Sequence, residues 1–149
     1  MEICVAIVLS STVLLRVPGP LTLSWEHSVE HFRVEEDYRA TADGALILTE
    51  VRTGGAGAGI DIPRDARLVD GVWRFTPPLS PLARVQLANS NFVRGYRLCW
   101  REQCVPLNAL PGAADQPLVV AACQGMGVVP SARGSVSEAQ GRVLRPTTN

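Results

Sequence analysis

Between Leu21 and Leu107 apolar and polar residues alternate over short stretches, and no apolar stripe recurs at helical spacing. Residues 21–29, 32–41 and 45–53 read as consecutive strands, the last two joined through Asp43-Gly44, a dipeptide suited to the φ > 0 positions of a type I′ hairpin turn. Asp70-Gly71 likewise joins 66–69 to 72–75, and segments 84–88, 96–100 and 103–107 complete the series. Roughly six to eight short strands with tight turns predict a mainly β fold, a small antiparallel β-sandwich or barrel. The run Thr76-Pro77-Pro78-Leu79-Ser80-Pro81-Leu82 cannot be a central strand, because proline has no amide hydrogen to give the ladder, and it is expected to cross one end of the sheet.

The flanks break this pattern. The apolar run from Ile3 to Leu15 falls short of the roughly 20 residues of a transmembrane helix but has the length of a secretory h-region, and Pro18-Gly19-Pro20 separates it from the strand-like sequence beyond. Glu2 stands where an export signal carries positive charge, and no Ala-x-Ala site comes after the run, so either the start lies elsewhere or residues 1–20 stay as a short anchor. A buried first strand or helix is the alternative. Past Leu110 the composition turns to Gly, Ala, Pro, Ser and Gln, so residues 111–149 are expected to be a mostly disordered tail, with an apolar island at 118–123 that could dock as an edge strand. The expected division is a signal or anchor segment over 1–20, a β domain over 21–110 and the tail; 149 residues at 46% apolar content suit a single modest core.

Charge adds an exclusion. Acidic and basic residues balance at 14 each, so no overall field recruits nucleic acid or an anionic membrane surface. Every basic residue is arginine, which excludes lysine Schiff-base chemistry. Of the four cysteines, Cys4 lies in the apolar run and Cys123 at the end of the island, leaving Cys99 and Cys104 as a local pair. If Arg101 and Glu102 form a two-residue loop, Trp100 faces Gln103 and Cys99 faces Cys104, at a separation of about 4.5–5.5 Å that suits a disulfide. Two free thiols in a core are the alternative; a zinc half-site lacks a second pair of ligands. A disulfide and export support each other, because such bonds persist in oxidising compartments.

The chemistry-bearing stretch is Leu23 to Tyr38, with His27, His31 and the carboxylates Glu26, Glu30, Glu35, Glu36 and Asp37. Strand alternation puts Trp25, His27, Val29 and His31 on one face and Glu26, Ser28 and Glu30 on the other. If this strand pairs with the next, His27 meets Glu35 or Asp37, an arrangement able to support metal ligation, acid–base work or recognition of an amine or carboxylate. The alternative is a core or sheet-surface histidine, with the carboxylates solvated or paired to Arg33 and Arg39. Ser28 points away from its neighbour His27, which argues against a Ser-His nucleophile. The three tryptophans read as core anchors. The glycines from Gly54 to Gly59, among them Gly55, Gly57 and Gly59, suggest a phosphate loop, but Ile60-Asp61-Ile62-Pro63 starts no helix after them. A backbone that adopts φ > 0 or approaches another group closely, including a ligand carboxylate, is the expected use.

The order of His-Ser-Val, Glu-Glu-Asp-Tyr, the glycine loop, Gly-Val-Trp-Arg-Phe, Pro-Leu-Ser-Pro-Leu and a Cys…Cys hairpin resembles the bacterial family called domain of unknown function 1850, over roughly residues 21–110. The family's pattern falls on His27, Ser28, Val29, Glu35, Glu36, the glycine loop, Trp73, Cys99 and Cys104. Its members are small, carry an N-terminal hydrophobic segment and are encoded beside permeases of TRAP-type transporters of the TAXI class. The resemblance implies a periplasmic or otherwise extracytoplasmic accessory protein, with a transporter permease or its solute-binding protein as partner; together with the residues, the expectation is a binding module and not an enzyme, with a small carboxylate as ligand and no cofactor or bound metal. His27, Ser28, Glu35, Glu36, Gly55, Gly57 and Gly59 are the candidate binding residues, and Cys99 with Cys104 the candidate disulfide. A small hydrolytic or metal-dependent enzyme using His27 and Glu35, and a structural assembly factor for a permease, are the rival readings.

Overall fold

The computed structural model describes residues 1–26, 31–56, 61–88 and 95–127, and among these are eleven strands and two short 3-10 turns. The strands are β1 (Glu2–Ile7), β2 (Val13–Pro18), β3 (Leu21–Glu26), β4 (Arg33–Ala40), β5 (Leu46–Thr53), β6 (Arg67–Val69), β7 (Val72–Phe75), β8 (Val85–Leu87), β9 (Arg97–Trp100), β10 (Gln103–Pro106) and β11 (Leu118–Ala122). All pairings are antiparallel, in a seven-stranded sheet ordered β10-β9-β3-β4-β5-β7-β6 and a four-stranded sheet ordered β2-β1-β11-β8. The core lies between them, so the fold is a small β-sandwich. Leu21, Leu23, Val34, Leu46, Leu48, Val51 and Leu98 of the larger sheet pack with Ile3, Val5, Val85, Leu87, Leu118 and Val120 of the smaller one.

Local signals fix several junctions. Asp70 and Gly71 both adopt positive φ between β6 and β7, as a two-residue hairpin turn requires. The β9–β10 hairpin turns at Arg101 and Glu102, pairs Trp100 with Gln103, and closes Cys99–Cys104 across a Cα–Cα distance of 4.1 Å. The turn between β4 and β5 departs from the expectation. Only Gly44 takes positive φ, and Thr41 to Ala45 form a longer loop in which the Thr41 hydroxyl caps the Asp43 carboxylate and receives the Ala45 amide. A bulge beside it, where Asp37 faces Glu50 and Tyr38 faces Leu48, leaves Thr49 as an extra residue and adds to the local twist.

The flanks are built into the sandwich. Residues 2–18 form the strand pair β1–β2, with Ile3, Cys4, Val5 and Ala6 buried, so the buried-strand alternative describes this segment. No helix among the described residues is long and apolar enough to cross a membrane. The island at 118–122 is not an edge strand: β11 lies between β1 and β8, and all five of its residues are buried. Residues 111–127, expected as part of the tail, are built into the fold through a 3-10 turn at Cys123–Gly127; 128–149 lie outside the described residues. Cys123 is bonded to Cys4, giving a second disulfide that links segments 119 residues apart.

Candidate functional site

Pairing of β3 with β4 sorts the polar stretch into two environments. Leu21 faces Tyr38, Leu23 faces Glu36 and Trp25 faces Val34 on the inner side, while Thr22 faces Asp37 and Ser24 faces Glu35 on the outer side. The strands pair as expected, but this register matches Glu35 and Asp37 with Ser24 and Thr22. β3 ends at Glu26, before His27, and His31 begins the return with φ 56°, its imidazole exposed and 3.4 Å from the Glu26 carboxylate. His27 and Ser28 lie outside the described residues, as do Gly57 and Gly59.

Glu35 and Glu36, neighbours in sequence, therefore belong to different sites. Outside, Arg52 of β5 forks onto both Asp37 oxygens at 2.5 and 2.8 Å, reaches Glu50 at 2.8 Å and approaches Glu35 at 3.4 Å. The Thr22 hydroxyl donates to Asp37 at 2.6 Å. Partial burial works against the charged Asp37, but the hydrogen bonds from Arg52 and Thr22 outweigh it and hold the carboxyl below its ordinary value. The same bond to Asp37, followed by the one to Glu50, pushes the Arg52 guanidinium further toward its charged form against the opposing effect of burial. Arg33 and Arg39 take no part. This network is a sheet-surface clamp between β3, β4 and β5, with each carboxylate already engaged.

Inside, Glu36 is buried in an otherwise apolar core and accepts a 2.5 Å hydrogen bond from the Tyr38 hydroxyl. Tyr96, just before β9, is also buried; burial first and the Glu36 charge second raise its ionisation well above the ordinary phenol value. The β3–β9 pairing ends at Ser24 with Arg97; Trp25, the next residue of β3, is buried, and its indole N–H has no acceptor among the described residues. The Glu36 carboxylate thus lies near two phenols, hydrogen-bonded to one and acting electrostatically on the other. A buried carboxylate is costly unless hydrogen-bonded, and such a cluster in a small sandwich marks a site worth testing for recognition of a polar group. Tyr38 and Tyr96 are not singled out by the sequence pattern; the i, i+2 spacing of Glu36 and Tyr38 on one strand face is the signal for the first, whereas Tyr96 arrives from a distant strand. Arg52 is likewise hidden in the sequence, because its main partner Asp37 lies one strand away.

The glycine loop begins as a close approach. Thr53 donates its hydroxyl to the Gly55 carbonyl at 2.7 Å, and a Cβ on Gly55 would stand 2.8 Å from the Phe32 ring. Gly55 is thus held against Phe32. Among the described residues no group of three or more His, Cys, Asp or Glu is placed to hold a metal ion.

No curated protein and no solved structure matches the chain. A family model does match, over residues 21–107, which takes in all seven strands of the larger sheet and β8 but leaves β1, β2 and β11 outside. The chain therefore belongs to the family described as Domain of unknown function (DUF1850).

Proposed function

We propose that the chain is a non-enzymatic accessory module that works outside the cytoplasm beside a transporter permease for small organic acids, its binding-competent shape set by the buried Glu36–Tyr38–Tyr96 wall. The observation that carries the binding role is the buried Glu36 carboxylate, kept with a phenol donor where an apolar side chain would fill the same space without a desolvation cost. Two disulfides, which leave no described cysteine free, support an oxidising compartment. The transporter as partner rests on the resemblance of the chain to its family.

The test is capture of the tagged full chain from its own membranes, side by side with Glu36→Gln, which keeps the shape and removes the charge. Recovery of a permease or its solute-binding protein with the native chain, reduced at least tenfold by Glu36→Gln, is expected. Equal recovery by both would remove Glu36 from the function, and recovery of no membrane partner would overturn the accessory role.

A further inference from the structure

A cavity of about 530 Å³ lies on the side of the four-stranded sheet opposite the core, remote from the Glu36 wall. Its floor is Ala6, Val119 and Ala121, small residues on the outward faces of β1 and β11, and the 3-10 turn at Cys123–Gly127 supplies Met126 as an apolar side. The Thr41–Ala45 loop closes one flank, its Gly44 carbonyl so near Gly125 that a Cβ there would stand 2.7 Å from the oxygen. The Cys4–Cys123 disulfide holds this turn to β1, so the wall is fixed covalently.

Two charged residues line the cavity. Asp43 is engaged by the Thr41 hydroxyl inside its own turn, whereas Arg84, half-buried just before β8, has no carboxylate partner among the described residues. Asp43 keeps its charge but is held in its own turn, so the cavity offers an apolar floor and one guanidinium free of any ion pair among the described residues, which suits a molecule with an apolar chain and a single negative head. We propose that this cavity binds a short aliphatic carboxylate, its chain on Ala6, Val119 and Ala121 and its head on Arg84. The proposal rests on the reading of the chain as a binding module, but on a second site that needs neither Glu36 nor a membrane partner.

The test uses the purified full chain with both disulfides intact, titrated with hexanoate and with hexanamide and followed by isothermal calorimetry and by amide NMR shifts. Hexanoate is expected to bind at least tenfold more tightly than hexanamide, with shifts concentrated at residues 6, 84, 119 and 121. Arg84→Gln should remove that preference, and Ala121→Leu, which fills the floor, should weaken both ligands. Circular dichroism and thermal melts of the two variants distinguish loss of the site from loss of the fold. Equal binding of acid and amide, shifts placed elsewhere, or no binding by the native chain would overturn the proposal. Those results leave permease capture untouched, just as failure of that capture leaves hexanoate binding standing.

Discussion

Asp37, held by Arg52, links the stability of the larger sheet to pH. Because the native carboxyl ionises below its ordinary range, the fold binds fewer protons at this site than the unfolded chain, and the stabilisation is present above the unfolded value and lost as pH falls through the native one. Asp37→Asn should cost about 1–2 kcal/mol at neutral pH, and the difference from the native chain should shrink in acid, as read from urea midpoints across a pH series. Tyr96 has the opposite sign. Its raised ionisation keeps the neutral phenol in the fold, so its contribution is present below the ordinary phenol range and is lost as pH rises toward the native value. Glu36→Gln should bring that ionisation down, which tyrosinate absorbance during an alkaline titration would detect; an unchanged titration would mean that burial alone governs Tyr96.

At the scale of elements, turn dipeptides and alternation were enough to locate β4, β5, β7, β9 and β10, because those signals act within a few residues of one strand. The Cys99–Cys104 pair was legible for the same reason: a two-residue loop fixes the register on both sides of it. Asp43-Gly44 misled because the loop is governed by tertiary contact, with Gly44 lying against Gly125 of a segment about eighty residues away. Gly125→Ala should therefore force backbone movement and lower stability by about 1–3 kcal/mol, whereas Gly71→Ala, with open space around its Cβ, should lose only what the positive φ costs, about 1 kcal/mol. Thermal melts of the two variants would compare them directly. The candidate site was half legible. Alternation along β4 puts Glu36 with Val34 and Tyr38, opposite Glu35 and Asp37, but which side meets the core depends on the second sheet, and nothing local announces that Tyr96 joins Glu36.

At the scale of the molecule, the apolar stretches on either side of the family domain meet in one sheet, supplying β1, β2 and β11 beside β8 of the domain itself. An unbroken apolar run reads as an export or anchor segment when its partner is out of sight, and β1 and β11 are so uniformly apolar because both of their faces are covered. The Cys4–Cys123 bond closes nearly the whole described chain. In the chain-entropy view a loop of that length is worth about 5 kcal/mol, against about 2 kcal/mol for the Cys99–Cys104 loop. Replacing Cys4 and Cys123 together by alanine should thus lower the urea midpoint more than replacing Cys99 and Cys104, and it should release the turn that walls the outer cavity. The reverse order would mean that β1 and β11 hold together without the covalent link.

The closed sandwich depends most directly on that long-range bond existing in the protein as cells make it. Thiols would be blocked in intact cells, and the protein then isolated, digested without reduction and mapped by mass spectrometry. A crosslinked peptide pair containing Cys4 and Cys123 is expected, with Cys99 joined to Cys104. Blocked free thiols at Cys4 and Cys123, or a mature protein from which the peptide bearing Cys4 has been removed, would contradict both the closed sandwich and the cavity built upon it.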